Sequence, residues 1–490
     1  MSNQRDTAAR RGLLYAINDR PPLGQSLVLA AQNVLTMFGA TVSVPLLLGP
    51  AMGMAQTDIA ILISCVMLCS GLATLLQTTY GSRLPIVQGM SFSFLAAFFS
   101  VIAAGTREGW SPAEMMQYIA GAILVGALVE LLVGLTGLAG WLRRAITPVV
   151  IGPVIMLIGL ALFKHGFPKA ATHLPIGGLT IVVMIVCSMI LAPKVRFFQL
   201  FPILSAVVVM VTLCWGLSAA GVFYGPSMQA SGEIVPAHPA FVDLSAVRAS
   251  PWARLDPREL ILPWGYPKFA AGFILAALAG YFASIIESFG DYHACSYMSG
   301  AGDPTAKQIS RGIAAEGAGC LLTGLLGGFS STSYSENIGL IGITKVASRY
   351  VVRLSGVMLV ALGLFGKFGA IAAAIPGPVV GGLYCVLFGL IAAIGVQQLA
   401  KADLRSDRTL LIAGFSLFMG LSVPAFLDGS TAGLYPPGPE PLLQAMPAWL
   451  ASVVRAIGET SMAVAGICGL VLDNVIPRDE DQAPSAAASA

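Results

Sequence analysis

Two carboxyl groups inside one apolar stretch are the clearest candidates for chemistry in this sequence. Glu287 and Asp291 are four residues apart, so a helix would place both carboxyls on one face. Two acids that share a low-dielectric site disfavour double ionisation, which favours the binding of a proton. The pair therefore predicts a proton-carrying site. A structural pair hydrogen-bonded to neighbouring helices would show the same spacing and is the alternative.

A third acid stands in a polar segment that interrupts another apolar stretch. Glu336 belongs to the segment 332–339, and helical sequence resumes at Gly339. A carboxylate beside a helix N-terminus is stabilised by the free backbone N–H groups, and it can accept hydrogen bonds from the N–H groups of a neutral ligand. Glu336 is accordingly predicted to bind a ligand, with a helix-capping role as the alternative.

Three further titratable side chains lie within or beside apolar stretches, where ionisable groups are costly and therefore of functional interest. Glu316 could serve proton coupling or only pair with a neighbouring helix, and the sequence favours neither. Glu130 stands alone in apolar surroundings and is interpreted as a packing or interface residue. His293 lies near the end of its stretch and is interpreted as a surface histidine rather than a proton relay.

The composition places these acids in a membrane. Of the 490 residues, 56% are hydrophobic and only 10% are charged, and the mean hydropathy is +0.81, whereas roughly 25% of residues are charged in an average soluble domain. Abundant glycine and proline indicate tightly packed, interrupted helices. The sequence has no basic run for nucleic acid and no metal-ligand spacing. Its eight cysteines are predicted to be packing residues without disulfides, and no cofactor is expected.

Apolar stretches of about 20 residues, the length that crosses a bilayer as a helix, predict fourteen spans and an all-α polytopic membrane protein. The spans lie at about 27–50, 57–79, 84–103, 117–139, 146–164, 175–193, 199–222, 268–292, 310–328, 331–347, 353–373, 376–398, 408–427 and 456–475. Two of them, 84–103 and 331–347, begin with polar, glycine-bearing segments, which predicts short irregular or strand-like backbone. Such backbone at membrane depth must face a cavity or other protein.

The distribution of basic residues predicts the orientation in the membrane. Most of the 27 Lys and Arg residues fall in segments on the same side as the N-terminus, and cytoplasmic segments carry this excess. Both termini are therefore predicted to be cytoplasmic, in the cell membrane. The polar parts are an N-terminal tail at 1–25, an extracytoplasmic loop at 223–267 and a disordered C-terminal tail at 477–490.

Two short matches indicate an internal repeat. The segment 147–153 (Thr-Pro-Val-Val-Ile-Gly-Pro) opens the fifth span, and the segment 377–382 (Gly-Pro-Val-Val-Gly-Gly) opens the twelfth. An odd number of spans between copies reverses their orientation, so the halves are predicted to be inverted repeats, as in many secondary transporters. The two irregular spans are also seven spans apart. The binding site is expected where these interrupted elements meet near the midplane.

The polar segment of the tenth span resembles the signature of a known family. Residues 336–345 (Glu-Asn-Ile-Gly-Leu-Ile-Gly-Ile-Thr-Lys) match the pattern E/Q/P-N-x-G-x-x-x-x-T-K/R of the nucleobase-ascorbate transporter family. Segments 287–292 (Glu-Ser-Phe-Gly-Asp-Tyr), 88–92 (Gln-Gly-Met-Ser-Phe) and 32–45 resemble the eighth, third and first spans of that family. The resemblance covers about residues 22–476, which is essentially the whole membrane region.

The resemblance implies fourteen spans in two inverted seven-span repeats, divided into two domains. A core, or transport, domain would comprise residues 26–145 and 268–373, and a gate domain would comprise residues 146–222 and 374–476. In the family the gate domain usually forms a homodimer, and the core domain carries the substrate in an elevator-like movement.

The resemblance also implies roles for single residues. The substrate-binding residues would be Glu287, Glu336, Ser91, Phe92 and Ser335, of which the two glutamates would clamp a heterocycle. The residues that tune coupling or orient the site would be Asp291, Glu316, Asn337 and Asn33. Many relatives carry histidine where this chain has Asn33, so a proton-linked contact would be missing here.

The substrate class follows from the same comparison of motifs. Glutamate at position 336 resembles the family's uracil permeases, whereas xanthine and uric acid carriers have glutamine and mammalian ascorbate carriers have proline. Segment 287–292 and the Glu316-Gly317 pair are closer to the purine and ascorbate branches. The sequence thus predicts a symporter, not an enzyme, that imports a nucleobase, uracil or xanthine-like, with a proton. The alternative is a sodium-coupled purine or ascorbate-like carrier; a membrane enzyme or a channel fits the residues less well.

Overall fold

The computed structural model describes residues 13–138, 147–228, 234–427 and 439–477. The predicted C-terminal tail after residue 477 and the first twelve residues of the predicted N-terminal tail lie outside these ranges. Residues 14–17 of that tail pair with the segment 345–349, with the Leu14 N–H donating to the Lys345 carbonyl at 2.8 Å. The first helix begins at Leu23, inside the predicted tail.

The first half of the chain is mostly helical. Its elements are α1 (Leu23–Ala51), α2 (Gln56–Thr79), β1 (Gln88–Met90), α3 (Leu95–Glu108), α4 (Pro112–Thr136), α5 (Pro148–Ala161), α6 (Phe163–Ala170), α7 (Leu174–Ile185), α8 (Arg196–Leu200) and α9 (Pro202–Ala219). Short 3₁₀ turns at Phe92–Phe94 and Ala171–His173 and a π-helical segment at Val186–Leu191 join some of them.

The predicted extracytoplasmic loop and the second half follow. The loop contains β2 (Ser227–Met228), β3 (Ile234–Val235), α10 (Ser245–Ala249) and α11 (Pro257–Leu260). The second half contains α12 (Ala271–Met298), α13 (Ala306–Leu325), β4 (Ser331–Ser333), α14 (Ser335–Thr344), α15 (Arg349–Leu364), α16 (Gly366–Ala373), α17 (Gly377–Leu399), α18 (Asp407–Leu427), α19 (Glu440–Gln444), α20 (Ala448–Gly458) and α21 (Ser461–Val475).

The helices begin and end where local chemistry requires. At the start of α4, the Ser111 hydroxyl accepts from the Glu114 N–H at 3.2 Å, and Pro112 occupies a first-turn position whose N–H would be unpaired in any case. The helix ends at Gly137, whose φ of +74° favours glycine. At the start of α13, Thr305 and Gln308 form a reciprocal capping box.

Within the described ranges, eight helical stretches are long and apolar enough to cross a membrane. The pair α15 and α16 would make nine if counted as one span, although it is bent by 80°. The predicted fourteen spans and their inverted repeats therefore remain a prediction. Part of the difference has visible causes: the third and tenth predicted spans begin as strands, and the last helix, α21, is short. The fifth and sixth predicted spans are counted together as the stretch Pro148–Leu191.

The two irregular spans pair with each other at the centre of the fold. Strands β1 and β4 run antiparallel in the register Gln88↔Ser333, Gly89↔Thr332 and Met90↔Ser331. The predicted strand-like segments are thus present, and their backbone N–H and C=O groups satisfy one another, as non-helical backbone in a membrane requires. Each strand leads into a helical segment, so two helix N-termini meet beside the pair.

The long helices pack in two groups, with close backbone contacts at glycine. A Cβ on Gly71 of α2 would lie 2.6 Å from the Gly356 carbonyl oxygen of α15, and one on Gly395 of α17 would lie 2.4 Å from the Met156 nitrogen of α5. Only glycine permits such approach. The first group is α1–α4 with α12–α16, and the second group is α5–α7 with α17, α18 and α21.

The two ends of the helix bundle carry different parts of the chain. One end carries the start of α1 and the end of α21, and it is called the terminal side. Here Tyr15 donates to Gln25 near the start of α1. On this side the Arg349 guanidinium donates to the Arg83 carbonyl beyond the end of α2. The other end, which carries the end of α1 and the start of α17, is called the opposite side.

A buried ion pair joins α18 to α21 within the second group, near the terminal side. The Asp473 carboxylate on α21 lies 2.9 Å from the Arg408 guanidinium on α18, and it accepts from the Thr147 hydroxyl at 2.7 Å. The side chains of Asp473 and Arg408 are 2% and 11% exposed. Asp473 lies close to the end of its apolar stretch, and sequence reasoning did not identify it.

Asp473→Ala is expected to destabilise the protein strongly, because it leaves the Arg408 guanidinium buried without its counter-charge. Breaking a buried ion pair on one side costs about 3–5 kcal/mol. Thermal unfolding of the purified protein in detergent should show a clearly lower melting temperature. Asp403→Ala, on the exposed loop before α18, is the matched control. Equal melting temperatures for the two variants would contradict a stabilising role for the ion pair.

Candidate functional site

A cavity of about 830 Å³ lies between the two helix groups. The first group lines it with polar side chains at the ends of the strand pair and on α12: Ser91, Ser93, Glu287, Asp291, Ser335 and Glu336. The second group lines it with Ile151, Ile155 and Ile158 of α5 and Ile391 and Ile394 of α17. Residues at helix ends, Pro148, Asp303 and Lys401, show that the cavity extends to the terminal side. Its volume suits a small organic ligand.

Glu287 and Asp291 both line this cavity, so their predicted position on one helical face is confirmed. Glu287 accepts one long hydrogen bond, from the Ser93 hydroxyl at 3.4 Å. Asp291 accepts a short one from the Ser335 hydroxyl at 2.7 Å, and its second oxygen is buried without a partner in the described residues. Asp291 therefore fixes the first residue of α14, whereas Glu287 is largely unsatisfied by the protein.

Glu336 lies in the first turn of α14 with its side chain in the cavity. The N-cap residue of this helix is Tyr334, and no side-chain capping bond is formed there. No other residue in the described ranges donates a hydrogen bond to the Glu336 carboxylate. This geometry does not favour the capping alternative, and the carboxylate, which contacts its own backbone N–H, can accept further hydrogen bonds from a ligand.

The segment after β1 is already engaged in local contacts. The Ser91 N–H donates to the Ser330 carbonyl at 3.1 Å, and the Ser91 hydroxyl accepts from the Ser93 N–H at 3.2 Å. The Ser91 N–H is therefore not available to a ligand, whereas its hydroxyl can still donate one hydrogen bond. The Phe92 ring meets the Phe388 ring of α17 edge-on, with 6.4 Å between centroids, and so contacts the second helix group.

Glu316 does not line the cavity but stands directly behind the strand pair. Its carboxylate accepts from the hydroxyls of Ser288 (2.7 Å), Ser333 (3.3 Å) and Tyr292 (2.8 Å). The Gln88 amide, oriented by the donors and acceptors around it, donates to the same carboxylate at 3.2 Å. Hydrogen bonds to an ionised carboxylate are charge-assisted and are stronger than hydrogen bonds between neutral groups. Glu316 thus ties α12, α13, β1 and β4 together, which gives it a clear structural role beside the predicted coupling role.

Asn337 and Asn33 join α14 to α1. The Asn337 amide nitrogen donates to the Asn33 backbone carbonyl at 3.0 Å and to its side-chain oxygen at 3.1 Å. Asn33 in turn donates to the Leu29 carbonyl. The contact fixes the position of α14, as the predicted orienting role of Asn337 requires. Asn33 lies outside the cavity, and its amide cannot carry a proton.

The structure changes the interpretation of His293 and favours the packing interpretation of Glu130 over the interface one. His293 is half-buried and lines the cavity, so it is not a surface histidine; its Nδ1 lies 2.8 Å from the Phe289 carbonyl oxygen. Glu130 is 1% exposed, and neither carboxylate oxygen has a partner among the described residues. Its position is inside the first helix group, where α4 meets α13, and not at an outer interface.

Sequence reasoning missed most of the polar residues that support the acids. Ser288, Tyr292 and Gln77, which donates to Tyr292 at 2.6 Å, form the contacts behind the site. Each is a polar residue within an apolar stretch, which was the available signal. Their partners lie far away in the chain, so the contacts could not be predicted from the sequence.

Comparison with known proteins identifies the family. The family model Xan_ur_permease, described as a permease family, matches residues 24–429. Solute carrier family 23 member 1 of mouse is 33% identical over 97% of this chain and 82% of its own length. The chain belongs to the nucleobase-ascorbate transporter family. The family is one of membrane transporters and permeases, so the protein is a transporter and not an enzyme.

Further similarities agree with this membership. Human solute carrier family 23 member 2 is 36% identical over 96% of this chain and 75% of its own length, and nucleobase-ascorbate transporter 7 of Arabidopsis thaliana is 34% identical over 94% and 85%. Among solved structures, the transmembrane domain of the cyanobacterial bicarbonate transporter BicA covers 81% of this chain and 95% of that domain, with a TM-score of 0.52 at 14% identity. This last likeness concerns the fold alone.

Proposed function

We propose that this nucleobase-ascorbate transporter is a secondary active symporter that imports an uncharged nucleobase, uracil or xanthine-like, together with a proton. The observation that carries the proposal is that Glu287 and Glu336 line one cavity and receive few hydrogen bonds from the protein. Carboxylates accept hydrogen bonds and donate none while ionised. A ligand that completes them must offer several hydrogen-bond donors, and the N–H groups along the edge of a nucleobase do so.

The charge of the site supports an uncharged substrate over an ascorbate-like anion. Besides Glu287 and Glu336, Asp291 also lines the cavity, and the basic lining residues in the described ranges are His293 and Lys401. Lys401 stands near the terminal side and donates to Gln398 at 2.7 Å. Ascorbate is an anion at neutral pH, and like charges in a low-dielectric site repel strongly. An anion would need a bound cation or extra protons, which is the sodium-coupled alternative.

The proposed transport movement is that of an elevator. The core domain, residues 26–145 and 268–373, would carry the polar wall of the cavity, and the gate domain, residues 146–222 and 374–476, would present the isoleucine wall. Apolar side chains offer no hydrogen bonds that would hold the core in one position, which suits a sliding surface. With cytoplasmic termini, the present conformation would be open to the cytoplasm. A homodimer through the gate domain is part of the same proposal.

Proton coupling has a direct test. Uptake of labelled uracil, xanthine and ascorbate should be measured in cells that express the protein, with and without sodium and with a protonophore. Uracil or xanthine uptake is expected to collapse with the protonophore and to persist when choline replaces sodium, because the acids of the cavity can hold a proton. Cells without the protein provide the background. Uptake that survives the protonophore but disappears without sodium would refute proton coupling.

A further inference from the structure

The two helix groups are joined on the opposite side by a contact that the proposed transport function does not use. Lys169 of α6 donates from Nζ to the Leu46 carbonyl of α1 at 3.0 Å. Tyr384 of α17 donates from its hydroxyl to the Ser43 carbonyl of α1 at 2.7 Å. Both donors belong to the second group and both acceptors to a helix of the first group.

The acceptor on α1 is available because of a proline. Pro50 lies inside α1 and has no backbone N–H, so the carbonyl of Leu46, four residues earlier, loses its ordinary helical donor. A carbonyl left unpaired at a buried position costs free energy comparable to a lost hydrogen bond. The Lys169 ammonium meets that requirement from outside the helix.

The two donors form one rigid unit. The Lys169 Nζ lies 5.7 Å from the centroid of the Tyr384 ring, within cation–π range. Helices α6 and α17 touch so closely that a Cβ on Gly381 would lie 2.1 Å from the Ala170 nitrogen. Lys169 and Tyr384 therefore cannot follow α1 if that helix moves relative to α17. Any such movement must break both bonds.

We propose that Lys169, Tyr384, Leu46 and Ser43 form an outer clasp that holds the transporter in the conformation open to the terminal side. The clasp must be released before the cavity can open to the opposite side. This inference rests on the proposed elevator movement, since only displacement of α1 against α6 and α17 gives the clasp a function. The strength of the clasp sets the population of the alternative conformation.

Side-specific labelling of a reporter cysteine tests the clasp without any substrate. Gly290 lines the cavity between Glu287 and Asp291, and a Cβ added there meets no atom within 4 Å. In proteoliposomes, the modification rate of Gly290→Cys by a membrane-impermeant maleimide is measured from each side. The same chain without this substitution gives the background from the native cysteines.

Lys169→Met should raise the labelling rate from the opposite side roughly tenfold, since a hydrogen bond to a charged group is lost. Tyr384→Phe should raise it severalfold, and Lys169→Arg, which keeps a donor, should raise it less than Lys169→Met. Pro50→Ala restores an N–H to the Leu46 carbonyl and is expected to act in the same direction as Lys169→Met.

Lys367→Met is the matched control. Lys367 also donates to backbone carbonyls, those of Val247 and Arg248, and lies 5.7 Å from the Trp252 ring, but it connects α16 to the loop rather than one group to the other. Its labelling rates should equal those of the parent, which is the chain that carries Gly290→Cys alone. If Lys169→Met fails to fold, Tyr384→Phe and Pro50→Ala carry the test.

Opposite-side rates within twofold of the parent for Lys169→Met, Tyr384→Phe and Pro50→Ala would overturn the clasp. Uptake assays on the protein without any substitution then decide the proposed function separately, because labelling requires no substrate. A transporter with unchanged labelling but proton-driven nucleobase uptake lacks a clasp and keeps its function. A change in labelling without nucleobase uptake supports the clasp and refutes the substrate.

Discussion

Glu287→Gln is expected to abolish substrate binding and uptake while leaving the protein folded. The Glu287 carboxylate receives a single long hydrogen bond from Ser93, and no described basic side chain pairs with it in the cavity. A ligand's N–H groups and a transient proton are the remaining compensation for burying the charge. The amide side chain of the Glu287→Gln variant binds no proton, and its NH₂ group would face the N–H donors of the ligand. Loss of a charged contact that the bound ligand encloses costs about 3 kcal/mol or more, or roughly a hundredfold in affinity.

Three measurements on purified Glu287→Gln separate the site role from a scaffold role. Equilibrium binding of labelled uracil and xanthine should be lost, uptake into proteoliposomes should be lost, and the melting temperature should equal or exceed that of the parent, because the desolvation cost is relieved. Glu108→Gln, at the exposed end of α3, controls for a Glu-to-Gln change elsewhere. A variant that unfolds while its surviving fraction binds substrate normally would show that Glu287 is a scaffold residue.

Glu336→Gln is expected to lower uracil uptake strongly, again without unfolding. The Glu336 carboxylate can accept from two ligand N–H groups, whereas the amide offers one acceptor and adds a donor that would face a donor. The unmatched group costs roughly 1–3 kcal/mol, or about five- to 150-fold in affinity. The protein should remain folded, since no other described residue donates to this carboxylate. Uptake of labelled uracil at matched expression measures the effect.

Two comparisons sharpen the test of Glu336. Glu316→Gln removes an acceptor from Ser288, Ser333 and Tyr292, so it should lower the melting temperature, which Glu336→Gln should not do. A gain of xanthine uptake by Glu336→Gln would identify the residue as a specificity switch. Uracil uptake within twofold of the parent would exclude Glu336 from the binding site.

The local parts of the site were predictable from the sequence because they depend on spacing. The four-residue separation of Glu287 and Asp291 places them on one face of α12, and the polar segments at 84–103 and 331–347 contain β1 and β4. The signature at residues 336–345 identified the family. These features are set by neighbours in the chain, and the helical or extended period carries them into space.

The remaining parts depend on contacts between distant segments. The repeat predicts that the two interrupted elements meet. It does not predict that β1 pairs with β4, or that Glu316 receives hydrogen bonds from α12 and from both strands, because periodicity carries no information on contacts between separate elements. His293 lies near a helix end, but the cavity extends to it, and the sequence does not show how far the cavity extends. The Arg408–Asp473 pair was hidden for the same reason. The count of fourteen spans rests on apolar length, which bends and breaks such as that between α15 and α16 obscure.

The strand pair has a consequence for how the protein is made. Gln88 and its partner Ser333 are 245 residues apart, so β1 leaves the ribosome long before β4 exists. At about 5–20 residues per second, the delay is roughly 10–50 s. During that time the N–H and C=O groups along the edge of β1 have no strand to pair with, and exposure to lipid would be costly. The nascent first half must therefore shelter this edge with water, its own helices or an insertion chaperone until the second half arrives. Mutations that slow translation or insertion of the second half should consequently reduce the yield of folded transporter, even where they leave the finished protein unchanged.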